Sequence, residues 1–145
     1  MINLTIEQIQ EKLTDFCADK PYIAFGYLFG SRANNNITPL SDIDIAVYID
    51  TQKAPADLFE LRLKELTALY QVFNTEKIDL VFLNETPLEL SYNVLKNGIL
   101  LYENDEQLRV TFFENTVRDY LDRKYFIDKR NEIIRRMMVE GSYFD

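Results

Sequence analysis

The chain has 145 residues, 47% hydrophobic and 28% charged, with a net charge of −8; this is ordinary globular composition, with enough chain to bury a core in one domain. With no histidine and one cysteine, Cys17, the sequence excludes Cys/His zinc sites, Ser-His-Asp triads, Cys-His pairs and an internal disulfide. The acidic balance argues against holding a long nucleic acid, which requires basic groups to displace counterions, but not against one nucleotide whose phosphates a divalent cation neutralises.

The apolar runs at 22–29 and 43–49 are far too short to span a bilayer, so no membrane contact is expected. The start, MINLTIEQIQEKL, has neither the basic onset nor the apolar block of a signal peptide, and a cytoplasmic location is expected.

Thr5-Ile6-Glu7-Gln8 has the form of a capping box and opens a helix in which Ile9, Leu13, Phe16 and Cys17 recur at helical spacing. Cys17, set among Leu13 and Phe16, reads as a small buried hydrophobe. Residues 22–29 are aromatic and β-branched, a buried strand ending at Gly30. A polar, turn-rich stretch at 32–41 follows. Ile43, Ile45 and Val47 then alternate with Asp44, Ala46 and Tyr48 as a second strand.

After a loop at 51–55, residues 56–73 read as a helix turning Leu58, Phe59, Leu63, Leu66, Leu69 and Tyr70 toward the core. KIDLVFL at 77–83 is a third strand with one acid, Asp79, in an apolar frame. Pro87 opens a helix that Gly98 closes, and 99–102 is a short fourth strand. From Asp105 the pattern is helical, as one helix or two. The expected architecture is α/β (α+β): one domain, 1–145, a small mixed sheet flanked by helices, with its C-terminal helical part from about 105.

Three features carry chemistry: Gly30-Ser31 ending the first strand, Asp42-Ile43-Asp44 starting the second, and Asp79 in the third. Alternate residues of a strand share a face roughly 6–7 Å apart, so Asp42 and Asp44 can aim at one point. Asp79 on a neighbouring strand can bring a third carboxylate there. Such a set repels itself unless cations balance it, which argues for a metal with oxygen ligands. Gly30 allows backbone to approach phosphate, Ser31 can donate a hydrogen bond, and Arg32 adds a nearby positive charge, unless it simply faces solvent. Phosphates at Ser31 and metals at Asp42 and Asp44 would place the α-phosphorus for in-line attack, with Asp79 taking the acceptor proton or assisting the metal.

The text GSRANNNITPLSDIDIAV resembles the signature of the polymerase-β-like nucleotidyltransferase superfamily, and most closely its minimal branch, the MNT antitoxins paired with HEPN toxins. The resemblance implies that fold, with ATP phosphate contacted at Ser31, Mg²⁺ bound by Asp42 and Asp44, and Asp79 completing the metal and catalytic site. It further implies transfer of AMP to a hydroxyl, with tyrosine the expected acceptor, on a HEPN ribonuclease toxin. Asn34-Asn35-Asn36 stands where the family commonly has a glycine; asparagine tolerates left-handed backbone, so the turn is expected to survive.

Two other readings stay open: a small-molecule acceptor such as an aminoglycoside hydroxyl, and a non-catalytic antitoxin that acts by covering its toxin. The C-terminal run DRKYFIDKRNEIIRR reads first as a solvated helix face, and second as a place where Arg130, Arg135 or Tyr125 holds nucleotide or partner. Met137-Met138-Val139 is apolar beyond need and could pack on a partner; assembly with itself or with another protein is left open.

Overall fold

A computed structural model describes residues 4–33 and 42–141. The elements run α1 (Ile6–Cys17), β1 (Ile23–Phe29), a 3₁₀ turn η1 (Gly30–Arg32), β2 (Ile43–Ile49), α2 (Leu58–Phe73), β3 (Ile78–Phe82), α3 (Leu88–Asn97), β4 (Ile99–Glu103) and α4 (Glu106–Glu140). The four strands form one mixed sheet in the order β3-β2-β1-β4, with β2 parallel to β3 and antiparallel to β1. The Asn34-Asn35-Asn36 turn lies outside the described residues.

Local chemistry explains the helix starts. The Thr5 hydroxyl accepts from the Gln8 backbone N–H while the Gln8 side chain accepts from the Thr5 N–H, the expected capping box. Asp57 and Asp105 cap α2 and α4 through their carboxylates. α2 ends at Asn74, which adopts left-handed backbone at φ 54° and donates back to Tyr70 O. The chain from Glu106 is one continuous helix, not two.

Each face of the sheet is covered. Ile9, Leu13 and Phe16 of α1 and Leu61, Leu69 and Phe73 of α2 pack on Leu28, Ile43, Ile45, Val47 and Leu80. On the other face Val94 and Leu95 of α3, with Leu108 and Phe112 of α4, cover Phe25, Tyr27 and Ala46. Each large aliphatic side chain so buried stabilises the fold by about 1.5–3 kcal/mol before entropy is counted. Cys17 is buried in the first layer, and desolvation pushes its thiol up to about 12, so it behaves as the expected inert hydrophobe.

α2 corrects one expectation. Its buried row is Leu61, Glu65, Leu69 and Phe73, whereas Phe59 is 63% exposed and Leu63 is exposed too. The reason is a polar contact between distant parts of the chain: the Tyr22 hydroxyl donates to Glu65 Oε1 at 2.5 Å, which makes burial of a carboxylate tolerable. Helical periodicity alone treats Glu65 as an outward residue and rotates the predicted face away from it. Among the described residues, no helix is long and apolar enough to cross a membrane.

Candidate active site

The site lies where β1 ends and β2 and β3 begin. Gly30 follows β1 with φ +76°, the left-handed region that side chains resist. That reversal turns the chain off the sheet into η1 and presents Ser31, half-buried, beside the start of β2. The antiparallel register pairs Phe29 with Asp44, so the turn and the aspartate are neighbours across the ladder. A Cβ built on Gly30 would stand 2.2 Å from Asp44 Oδ2.

The parallel register of β2 and β3 then sets Asp44 directly beside Asp79. Alternation puts Asp44 on the face of Ala46 and Asp79 on the face of Val81, both in the layer covered by α3 and α4. Asp42, just before β2, is exposed, as is Asp79, while Asp44 is half-buried. Burial pushes the Asp44 carboxyl up to about 6, and the charges of Asp79 and then Asp42 add to the shift. The charges of Asp79 and Asp42 thus act on Asp44.

Their chemistry suits a hard divalent cation, since carboxylate oxygens are its preferred donors. Among the described residues no three acidic, cysteine or histidine side chains stand close enough to cage an ion as they are. The register brings Asp44 beside Asp79, but the carboxylates of Asp42, Asp44 and Asp79 do not meet at the one point that the strand spacing predicts.

Arg32 closes η1 and is only 1% exposed, so the solvent-facing alternative fails. It is an enclosed positive charge one residue from Ser31. Arg62, Val81, Thr86, Pro87 and Leu90 are among the residues that line a pocket of about 300 Å³. Arg62 Nη1 donates to Leu80 O at 3.3 Å, tying α2 to the outer strand. No sequence signal marks this cavity, because its walls come from α2, β3, the β3–α3 loop and α3 and meet only in the fold.

Comparison with known proteins shows the family. The family model for polymerase beta nucleotidyltransferases matches residues 11–107. The chain is 34% identical over 104 residues, covering 68% of this chain and 69% of the relative, to the protein adenylyltransferase MntA of Aphanizomenon flos-aquae. It is similar to a chain of a solved toxin–antitoxin complex with AMP-PNP, with a TM-score of 0.66, 26% identity and coverage of 89% and 98% of the two chains. It is also similar to a chain of the tri-AMPylated Shewanella oneidensis HEPN toxin in complex with MNT antitoxin, at TM-score 0.62, 25% identity and coverage of 92% and 99%.

Proposed function

The chain belongs to the polymerase beta nucleotidyltransferase family, and from that premise we propose that it is a cytoplasmic antitoxin that transfers AMP from ATP to a hydroxyl, expected to be a tyrosine, of a HEPN toxin and so silences it. The observation that carries this reading is the register that sets Asp44 beside Asp79 with the Gly30 turn against Asp44. That arrangement serves nucleotide phosphates on one side and an acceptor hydroxyl on the other. The relatives supply the acceptor class: one is a protein adenylyltransferase, and another is held with an AMPylated toxin.

Asp42, Asp44 and Asp79 are the residues that would hold Mg²⁺. When bound, the ion offsets phosphate charge at the attacking and leaving oxygens. The Gly30 turn lets backbone approach the phosphates, Ser31 donates a hydrogen bond to them, and Arg32 contributes fixed positive charge from beneath. The acceptor oxygen attacks the α-phosphorus, the bond to the α–β bridging oxygen breaks, and pyrophosphate leaves with its electron pair. Asp79, on the exposed side of Asp44, takes the hydroxyl proton.

The test is incubation with Mg²⁺, α-labelled ATP and the product of the adjacent gene or another HEPN-family toxin, with an Asp42→Asn, Asp44→Asn double variant as control. Label on the partner that disappears in the control is the expected result. Neutralisation of the toxin by the unlabelling variant would instead mean inhibition by contact.

A further inference from the structure

The family match ends at residue 107, so almost all of α4 lies outside the nucleotidyltransferase module. The first half of α4 packs on the body, where Tyr120 stacks on Tyr92 of α3 with ring centroids 3.8 Å apart and Arg123 pairs with Glu89. Beyond Arg123 the helix runs on through residues 124–140, about 25 Å at 1.5 Å per residue, with nearly every side chain exposed. A helix of that length without tertiary packing is marginal in water.

This arm is not merely solvated. Phe126, 70% exposed, and Ile127, Ile133, Ile134 and Met138, all exposed, fall within roughly 140° of the circumference at 3.6 residues per turn. Arg130 sits in the middle of that stripe. The arm holds five cations against three acids, a net +2, which leaves −10 for the rest of a chain of net −8. An apolar stripe of this size marks an interface.

We propose that the 124–140 arm is the docking element for the protein substrate, laying its apolar stripe into an apolar groove whose acidic groups meet Arg130. A second copy of this chain does not fit as well. Pairing two arms in parallel sets Arg130 against Arg130, and either orientation sets basic arm against basic arm. The acidic body matches the arm's charge, but outside α4 the described residues expose only two large hydrophobic side chains, Phe59 and Leu63. A different protein must supply both acid and apolar area. The inference rests on the proposed function for the identity of that protein, the HEPN toxin, and assigns its tethering to a surface apart from the carboxylate site.

The experiment compares the full chain with Ile133→Asp/Ile134→Asp and with Arg130→Glu. It measures toxin binding by calorimetry, label transfer to the toxin, Mg-ATP binding, and the size of each chain alone. All three substituted positions face water, so the body folds as before. The expected result is toxin affinity reduced at least about tenfold in both variants, with Mg-ATP binding unchanged and label transfer restored in part at high toxin concentration. Wild-type affinity in the variants would overturn the proposal, as would a wild-type homodimer that the variants abolish with toxin affinity intact. If the wild-type chain neither binds nor labels the toxin, the proposed function falls and this surface with it; labelling by wild type and variants alike removes only the arm.

Discussion

Asp44 Oδ2 occupies the space that a side chain on Gly30 would need, with only 2.2 Å between that oxygen and an ideal Cβ. Two constraints meet at this glycine: a left-handed φ of +76° and the close approach of a carboxylate. Either alone disfavours substitution; together they hold the Gly30 turn against the Asp44 carboxylate.

Gly30→Ala is therefore expected to cost about 1–2 kcal/mol in stability from backbone strain alone, and to displace Asp44. Displacement of a ligand by an ångström is enough to reduce transfer by about 10²-fold. Thermal unfolding and label transfer measured on the same preparation check both. Activity within a few-fold of wild type would show that Asp44 does not need its observed position.

Asp44 carries the clearest pH signature. Its carboxyl is pushed up to about 6 from an ordinary 3.8, so the folded chain binds more protons than the unfolded chain between those values. The contribution is fully present below about pH 4 and is lost as pH rises through about 6. In metal-free protein, Asp44→Asn should be more stable than wild type above pH 6. The gain is on the order of 1 kcal/mol, after discounting the shift for solvent screening at a partly buried group. Mg²⁺ should reverse the order by stabilising wild type only. Melting curves from pH 4 to 8, with and without Mg²⁺, decide it; identical curves would remove the charge cluster from the account.

Asp79→Asn removes the neighbour that stands directly beside Asp44 in the β2–β3 register. Transfer should fall by about 10²–10⁴-fold, the range for loss of a general base, while Mg-ATP binding, which Ser31, Asp42 and Asp44 would still support, should fall less. A split between kcat and nucleotide affinity is the readout. Equal losses in both would make Asp79 a metal ligand first.

The Tyr22–Glu65 contact offers a test away from the site. Glu65 is 3% exposed and accepts from the Tyr22 hydroxyl. Tyr22→Phe should cost about 1–3 kcal/mol by leaving a buried carboxylate without that donor. Adding Glu65→Leu should recover much of the loss, since an apolar pair of similar size needs no donor. A denaturant midpoint that does not move in Tyr22→Phe would show that Glu65 is satisfied otherwise.

Much of this protein was legible in its residues. Gly30-Ser31, Asp42-x-Asp44 and Asp79 stood out by residue type, and strand alternation relates Asp42 to Asp44 without knowledge of the fold. The capping box at Thr5 and the strand runs were readable for the same local reason, since hydrogen-bond partners three residues apart need no tertiary help. Tertiary structure decided what depends on residues distant in sequence. The parallel pairing of β2 with β3, not spacing, put Asp44 beside Asp79. Tyr22, 43 residues away, turned Glu65 inward and so rotated Phe59 and Leu63 out. Arg32 was enclosed, and α4 outran the body that packs its first half. Periodicity reports which side chains are apolar; only the completed packing determines which of them find something to bury against.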